Sequence, residues 1–293
     1  AQTARWRRTV GPSGRIGNGR PEPTCPSQGE MLDSARAPRW RRRLLWSLMS
    51  EPSERFIQAI VLGREIIDAS SGLCELRLDV VPEVAHAGQF VCVGVEAQDG
   101  VMVERFISLA SPPGAPARLL VQPGDVGFVG DPSRLDVGDV LHVSAVAAGQ
   151  LTLAEVPARP TLWLLAAGTG LAPMAAILAH GVPVRFGAVV LVHAVRRPGQ
   201  LAYRAAFEAA AAESALRYLP VVSGDGDFRG PQGRIPALID AGRLAEAAGV
   251  ALDGPSSAAL ICGSAEMVVD VRAALARAGL DCDPARRIVV TEF

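Results

Sequence analysis

The chain has 293 residues, enough for two domains of ordinary size, and its 49% hydrophobic and 20% charged composition is that of a globular protein. All 29 Lys-or-Arg positions are Arg, and the absence of Lys excludes Walker-type nucleotide loops, pyridoxal Schiff bases and lysine-dependent aldolases. The net charge of −1 combines +7 over residues 1–48 with −8 over the rest. The five Cys and four His show no metal-ligand spacing, so we expect no metal site and reduced, cytoplasmic thiols.

Residues 1–50 are rich in Pro, Gly, Ser and Arg and lack apolar periodicity, so we predict a disordered extension outside the fold. A basic stretch is also typical of nucleic-acid or membrane contact, but the composition favours disorder, and we expect neither partner. The native protein is predicted to start at Met49, with Met31 as the alternative, so that the upstream residues are not part of the fold. A short apolar stretch after Arg43 imitates a signal peptide but is too short to be one.

Short β-type runs separated by Gly, Pro and Asp turns occupy residues 51–158. The predicted strands are Phe56–Leu62, Cys74–Val80, Gln89–Val95, Val101–Ser108, Arg118–Gln122 and Val140–Ser144, with a helical turn at Asp131–Leu135. Regular short strands of this kind predict an N-terminal antiparallel β-barrel domain.

Strands alternate with helices over residues 159–293, and Arg159 marks the predicted domain boundary. The predicted strands are Leu162–Ala167, Gly187–His193, Tyr218–Val222 and Ala258–Cys262, and the predicted helices are Pro173–Leu178, Leu201–Glu213, Pro236–Ala248 and Ala265–Ala278. This alternation predicts a doubly wound parallel sheet with helices on both faces. Residues 160–184 carry no charge, but glycines and a proline interrupt them, so we predict no membrane span.

A glycine-rich segment, Gly168-Thr169-Gly170-Leu171-Ala172-Pro173, follows the first apolar strand of the second half. A strand, a glycine turn and a helix start together form a phosphate site, because bare amides point outward and the helix dipole favours negative charge. Pro173 replaces the third Gly of a dinucleotide-binding loop and suits the first turn of a helix. Ordinary turn geometry accounts for the two glycines equally well.

Charged and polar residues follow the later strands, at the sheet edge where ligands bind in doubly wound folds. Arg196 and Arg234 are predicted to hold a 2′-phosphate, with Arg197 or Arg229 assisting, and solvated surface arginine is the alternative. Cys262 is expected at the mouth of the crevice, unless it is a small buried residue that ends a strand.

The segment Arg105-Phe106-Ile107-Ser108 ends a predicted strand of the barrel half. An Arg and a hydroxyl suit a flavin and its phosphates. Because Arg105 and Ser108 are three residues apart, a regular strand points them to opposite faces, and a bend or bulge is needed before both contact one ligand. A surface Arg on an ordinary strand is the alternative.

Taken together, these segments resemble the ferredoxin–NADP reductase family, most closely its bacterial ferredoxin/flavodoxin–NADP reductase branch. The resemblance covers about residues 52–293 and rests on RFIS at 105–108, GTGLAP at 168–173, LVHAVR at 191–196, VVS at 221–223, GRIPALI at 233–239 and ICGSAEMV at 261–268. It implies an FAD-binding barrel followed by an NADP-binding α/β domain. The implied cofactors are FAD and NADP, with NAD as the alternative, and the implied partner is a ferredoxin or flavodoxin that exchanges single electrons with the flavin.

The resemblance also implies roles for individual residues. Arg105 matches the family Arg on the FAD phosphates, and Ser108 matches the hydroxyl near flavin N5. Ser108, Cys262 and Glu292 are the expected catalytic residues. The further expected cofactor contacts are Phe106, Ile107, Gly127, Phe128, Val129, Gly168, Thr169, Gly170, Pro173, Arg196, Arg197, Arg234, Cys262, Gly263, Met267 and Phe293.

Three positions depart from the family pattern. Ile107 replaces the aromatic residue that packs on the isoalloxazine, and Val129 stands where a hydroxyl residue often contacts the pyrophosphate. Gly224 replaces an Arg that binds the 2′-phosphate, which weakens the expected preference for NADP unless Arg229 compensates. Phe293 is expected to take the place of the missing aromatic stack.

Besides a monomeric reductase that serves a carrier, other functions fit the sequence. One is the reductase component of an oxygenase or another multi-subunit system, and another is a flavin-binding module without turnover. A barrel that has lost its flavin is a further alternative. Turnover of NADPH with an artificial acceptor separates these alternatives. A reductase component is expected to give weak turnover that its partner protein increases, and a flavin-binding module is expected to bind flavin without turnover. A barrel that has lost its flavin is expected to purify colourless.

Overall fold

The computed structural model describes residues 5–7, 55–96, 101–123, 131–182, 185–280 and 289–292, which form two sheets. The strands of the first sheet are β1 (Arg5–Arg7), β2 (Phe56–Asp68), β3 (Leu73–Leu78), β4 (Phe90–Glu96), β5 (Val101–Ser108), β6 (Arg118–Val121) and β7 (Val140–Ser144). The strands of the second are β8 (Thr161–Ala167), β9 (Ala188–Val195), β10 (Leu216–Val222), β11 (Ser257–Gly263) and β12 (Val289–Glu292). The helices are α1 (Leu171–His180), α2 (Arg204–Glu213), α3 (Ile235–Asp240), α4 (Arg243–Ala248) and α5 (Ala265–Arg277).

Strands β2 to β7 form an antiparallel barrel in the order β5-β4-β7-β2-β3-β6, and β1 adds to β5 in parallel. The barrel closes where Leu109 bridges to Leu119 and the Ala110 N–H donates to the Arg118 carbonyl at 2.8 Å. Alternate strand residues fill its interior, as the period of two in a pleated strand requires. The predicted antiparallel barrel is therefore confirmed.

Strands β8 to β12 form a parallel sheet in the order β10-β9-β8-β11-β12, which with its helices we call the α/β layer. Leu164 and Ala166 of β8 pack on the face that holds α1, whereas Trp163 and Leu165 pack on the face that holds α3 and α5. The predicted doubly wound sheet is confirmed. Its strand order reverses between β8 and β11, which is where ligands bind in such sheets.

The structure differs from the sequence prediction at several element bounds. The helix predicted over Pro236–Ala248 is split into α3 and α4, because Gly242 adopts φ +70° and ends the first segment. Strand β2 runs on to Asp68 through two irregularities in its pairing with β3. Strand β12 was not predicted, since four residues show no usable period. Among the described residues, no helix is long and apolar enough to cross a membrane.

A single buried cluster spans the barrel and the α/β layer. Leu73, Leu120 and Leu151 from the barrel side belong to it together with Leu171 and Ile177 of α1. The two sheets are therefore held against each other by a continuous apolar core.

The α/β layer also buries a polar pair. His193 of β9 is fully buried, and its Nδ1 lies 3.1 Å from the Tyr218 hydroxyl on β10. Its Nε2 has no hydrogen-bond partner among the described residues. Burial disfavours the charged ring and lowers the pKa of His193 to about 3, so the imidazole is neutral at physiological pH.

Candidate active site

A crevice of about 210 Å³ opens at the carboxyl ends of the parallel strands. It is lined by Ala167, Ala194, Val195, Ser223, Gly233, Arg234, Ile235, Pro236, Ser264, Glu266, Met267 and Asp270. These residues end β8, β9, β10 and β11 or begin the helices that follow, so the crevice lies at the point where the strand order reverses.

The glycine turn after β8 borders this crevice and requires glycine for two different reasons. Gly168 adopts φ +55°, and no atom lies within 4 Å of the place a Cβ would take, so the space above it is open. Gly170 packs so closely on β11 that a Cβ would overlap the carbonyl of Cys262. One glycine therefore leaves room for a ligand, and the other lets the turn approach the neighbouring strand.

Helix α1 begins directly after this turn, at Leu171. Pro173 lies buried in its first turn, where the missing N–H leaves no intrahelical bond unmade. Thr169 is partly exposed within the short 3-10 turn. The Leu171 N–H donates back to the Gly168 and Thr169 carbonyls, so the helix dipole and the turn that precedes α1 are what favour an anionic group such as a pyrophosphate here.

The structure corrects the expected position of the Cys262 thiol. Its side chain is fully buried on the α1 face of the sheet, because residues alternate along β11 and Ile261 takes the opposite face. Burial raises the pKa of this thiol. The next residue, Gly263, is also buried and packs against two residues of the crevice lining: a Cβ there would lie 2.9 Å from Met267 Sδ and 3.3 Å from Ala167 Cβ.

Arg234 is the basic residue that the structure places in the crevice lining. It precedes α3, and its Nη1 lies 3.5 Å from Glu266 Oε1. Both side chains are 77% exposed, and exposed pairs of this kind contribute little, so a phosphate can replace Glu266 at low cost.

Arg196 and Arg197 follow β9 and are both exposed, outside the crevice lining. Arg197 Nη2 lies 3.9 Å from Asp68 Oδ2 of the barrel. The Gly224 N–H donates to the Arg196 carbonyl at 2.9 Å, and a Cβ on Gly224 would lie 2.8 Å from that oxygen. Close packing of two loops thus accounts for glycine at 224. Arg229 is exposed on the connection between β10 and α3, which also contains Gly224.

The flavin-type motif lies at the end of β5, which pairs with β4 in regular register down to Ser108 opposite Phe90. No bulge is present, so Arg105 and Ser108 stay on opposite faces of the strand. Ser108 is only 2% exposed, yet its Oγ has no hydrogen-bond partner among the described residues. A buried, unsatisfied hydroxyl is unfavourable, and a ligand that hydrogen-bonds to it would remove this cost.

The other residues of the motif differ in burial and in what they contact. Burial lowers the pKa of Arg105, which is partly exposed, and the Asp131 carboxylate opposes that shift. Phe106 is about half exposed and packs edge-to-face on Phe90, with ring centres 5.3 Å apart. Ile107 is partly buried and packs against the barrel interior.

Several expected contacts fall outside the described residues, namely Gly127, Phe128, Val129 and Phe293. Glu292 ends β12, where its backbone is in register with Gly263. The sequence analysis missed Ser223, Ser264 and Asp270 in the crevice lining. Ser264 had a usable signal, because a serine between a strand and a helix is a typical N-cap, and its Oγ accepts from the Met267 N–H at 3.3 Å.

Residues adjacent to the two motifs belong to the shared apolar core. Ala110, two residues beyond Ser108, and Leu171, the residue after Gly170, belong to the same buried cluster. The unpartnered hydroxyl and the glycine turn are thus brought toward one region from separate sheets. This arrangement suits two cofactors that exchange electrons.

Comparison with known proteins agrees with this geometry. Residues 164–273 match the family model described as oxidoreductase NAD-binding domain. The flavodoxin/ferredoxin–NADP reductase of Escherichia coli (strain K12) is 37% identical over 191 residues, which is 64% of this chain and 77% of that protein. The ferredoxin–NADP reductase of Azotobacter vinelandii is 33% identical over 212 residues, 67% of this chain and 80% of that protein.

Among solved structures, a ferredoxin NADP+ reductase from Neisseria gonorrhoeae with bound FAD and NADP superimposes with a TM-score of 0.72 at 26% identity. The match covers 81% of this chain and 98% of that one. The ordered motifs, the barrel joined to a doubly wound sheet and these relatives lead to one conclusion. The chain belongs to the flavodoxin/ferredoxin–NADP reductase family.

Proposed function

We infer that this protein is a flavoenzyme that transfers electrons between NADP(H) and a ferredoxin or flavodoxin through FAD. Family membership supports the reaction class, and the similar Neisseria gonorrhoeae reductase binds FAD and NADP. On this chain, the observation that carries the inference is the buried hydroxyl of Ser108 at the end of the motif strand, which has no partner in the described part of the chain.

The residues present fit FAD. When bound, this cofactor supplies a hydride acceptor that also releases electrons singly. We propose that Ser108 makes the hydrogen bond that its Oγ lacks among the described residues, and that half-exposed Phe106, on the same face of β5, offers an aromatic contact. Arg105 and Ile107 lie on the other face of this regular strand, so Arg105 can pair with a phosphate of the same cofactor only if the cofactor passes around the strand end.

We propose that the crevice binds the nicotinamide nucleotide. The amides of the glycine turn hold the pyrophosphate, and Arg234 holds the 2′-phosphate, with Arg196 and Arg197 nearby on the next loop. Gly263 and Met267 shape the mouth. Because the Cys262 thiol is buried and its pKa is raised, its proposed role is to form the wall beneath this site, not to exchange protons.

The partner, assembly and location follow as proposals. A ferredoxin or flavodoxin is the proposed carrier, and we propose that the protein acts as a monomer in the cytoplasm. Cys74 and Cys262 form no disulfide among the described residues, which suits a reducing compartment.

Visible absorption spectra of the purified full chain, before and after anaerobic addition of NADPH, test this proposal. We expect flavin bands that bleach with NADPH. If NADH bleaches the flavin and NADPH does not, the cofactor is NAD, and the loss of the preference for NADP is assigned to Gly224, which replaces an arginine of the family. Absence of flavin bands after reconstitution with FAD would overturn the proposal, and turnover restored only by a separate protein would assign the chain to a multi-subunit system.

A further inference from the structure

Three side chains from distant parts of the chain form a polar cluster between the barrel and the α/β layer. Glu75 lies on β3, Arg118 begins β6, and Tyr203 directly precedes α2. The Tyr203 hydroxyl donates to Glu75 Oε2 at 2.5 Å, and Arg118 Nη1 lies 3.6 Å from the same oxygen. The Arg118 guanidinium also lies 5.8 Å from the centre of the Tyr203 ring. We call this group the Glu75 cluster.

Burial makes the members of the Glu75 cluster depend on one another. The Glu75 side chain is 5% exposed, and a carboxylate removed from water needs charged and hydrogen-bonding partners. Arg118 supplies the charge from the barrel, and Tyr203 supplies the hydroxyl from the α/β layer. Burial, followed by the adjacent Glu75 carboxylate, raises the pKa of Tyr203, so its hydroxyl stays protonated and keeps donating.

The backbone of Tyr203 is held in an unusual conformation. It has φ +55°, and among the described residues no other non-glycine residue has a positive φ. L-residues rarely adopt this region, and such conformations persist where surrounding contacts determine them. The contact with Glu75 therefore anchors a loop end whose backbone conformation is intrinsically unfavourable.

Each side of the Glu75 cluster leads to a segment of the proposed active site. On the barrel side, Arg118 Nη2 donates to the Ala110 carbonyl at 3.1 Å, two residues beyond Ser108. On the other side, Tyr203 ends the connection that starts at Arg196, directly after β9. The cluster is thus a short polar path from the end of the flavin-type strand to the loop beside the nucleotide crevice.

A second contact ties the same loop to the barrel. Arg197 Nη2 lies 3.9 Å from Asp68 Oδ2, at the end of β2. The neighbouring Gly199 lies so near that a Cβ would be 3.2 Å from Asp68 Oδ1. Hydrogen bonds from Ser71 and Ser70 lower the pKa of Asp68 and keep its carboxylate charged. Both ends of the Arg197–Tyr203 loop therefore contact the barrel.

We propose that Glu75 and Tyr203 are positioning residues that hold the end of the flavin-type strand and the loop beside the crevice at the spacing that hydride transfer requires. This inference rests on the proposed function. Glu75 acts through Arg118 and Ala110 on one side and through Tyr203 on the other, without touching the reacting atoms. Misplacement by about 1 Å costs up to about 100-fold in rate, so loss of one hydroxyl slows the hydride step while both cofactors still bind.

The test compares Tyr203→Phe with Tyr218→Phe in the full chain. Both variants keep the aromatic ring and lose one hydroxyl group that makes one side-chain hydrogen bond. The Tyr203 hydroxyl contacts Glu75 of the barrel, whereas the Tyr218 hydroxyl contacts His193 within the α/β layer. Hydrogen–deuterium exchange of the FAD-free protein reports the contact independently of activity. Stopped-flow bleaching of the flavin by NADPH, flavin content and NADP affinity report the hydride step and the binding of each cofactor.

We expect Tyr203→Phe to raise exchange in both residues 105–118 and residues 196–203 and to slow bleaching about tenfold or more, with flavin content and NADP affinity unchanged. Tyr218→Phe should change neither the exchange of these two segments nor the rate of bleaching. Glu75→Gln should also slow bleaching, because it removes the charge that Arg118 pairs with. The inference is overturned if exchange rises only in residues 196–203, if both tyrosine variants slow bleaching equally, or if the rate falls only with flavin content.

Failure of the proposed function gives a different result. In that case the wild-type protein itself shows no bleaching with NADPH or NADH, and the positioning role falls with it. If wild type bleaches and Tyr203→Phe bleaches at the same rate, the proposed function stands and the positioning role of Tyr203 is overturned.

Discussion

Gly170 packs directly against the carbonyl of Cys262, and a Cβ at Gly170 would overlap that oxygen. The contact joins the turn after β8 to the end of β11, the two strands between which the chain order reverses. The shape of the crevice at this point therefore depends on the absence of one methyl group.

We expect Gly170→Ala to destabilise the protein by about 1–3 kcal/mol, since an added carbon forces two strand ends apart. NADP affinity should fall as well, because the turn amides move. Gly242→Ala is the control: its φ of +70° makes an added Cβ cost roughly 1–2 kcal/mol, but the space around it is open and it lies outside the crevice lining. Urea unfolding and NADP titration measure both effects. An equal loss of NADP affinity in the two variants would show that the packing on Cys262 does not shape the site.

Ser108→Ala separates the binding of FAD from folding. Because the Ser108 Oγ is buried without a partner among the described residues, we expect the FAD-free variant to be as stable as the wild type or more so. FAD affinity should fall by up to about tenfold, the value of one hydrogen bond. Ser133→Ala removes another buried hydroxyl without a described partner, at a residue outside the flavin-type strand, and should lower FAD affinity less than Ser108→Ala does. Thermal unfolding and flavin titration give the two readouts.

Arg234→Ala tests the 2′-phosphate site. A charge-assisted hydrogen bond contributes about 1.5–3 kcal/mol. We therefore expect the Kd for NADP to rise at least about tenfold, while the Kd for NAD stays constant. The difference between wild type and variant should shrink in high salt, because Arg234 is exposed. Arg243→Ala, an exposed arginine outside the crevice lining, is the control. An equal loss for both nucleotides would place the 2′-phosphate elsewhere.

His193 gives a prediction for the dependence of stability on pH. Its pKa in the folded protein is about 3, below the ordinary 6.5, so between these values the unfolded chain binds the proton and the folded protein does not. Stability is therefore complete above pH 6.5 and is lost as the pH falls through this window, by up to about 1.4 kcal/mol per pH unit.

Urea unfolding at pH 7 and pH 5 measures this loss. We expect His193→Gln to reduce the difference in unfolding free energy between the two pH values, although it also lowers stability at pH 7. His86→Gln, at an exposed histidine, should retain the wild-type difference. If His193→Gln retains it too, the acid sensitivity arises from other groups.

Local patterns predicted much of the fold. The bounds of β5 and β7 agree with the sequence analysis to the residue, because turn residues and alternating apolar positions delimit both strands. The buried orientation of Cys262 was also available from the alternation along its strand, where Leu260 and Cys262 share one face. The position of Gly242 within a helical pattern gave a similar signal for the break between α3 and α4.

Contacts between distant residues were beyond the sequence analysis. Glu75, Arg118 and Tyr203 are separated by tens of residues and follow no spacing rule, so their meeting depends on how the two sheets pack. The left-handed backbone of Tyr203 had no signal either, since tyrosine rarely adopts it. The motifs predicted where cofactors bind, but not what holds the two halves in place.

The apolar cluster that joins Leu73 and Leu120 to Leu171 and Ile177 has a consequence for how this gene can change. The barrel and the α/β layer each shield part of the other from water. If the α/β layer were replaced by that of a relative, its apolar residues would pack against barrel residues that did not evolve with them. Recombination within the family is then tolerated only where both contacting surfaces are inherited together. The apolar junction thus requires substitutions in one half to remain compatible with the facing residues of the other.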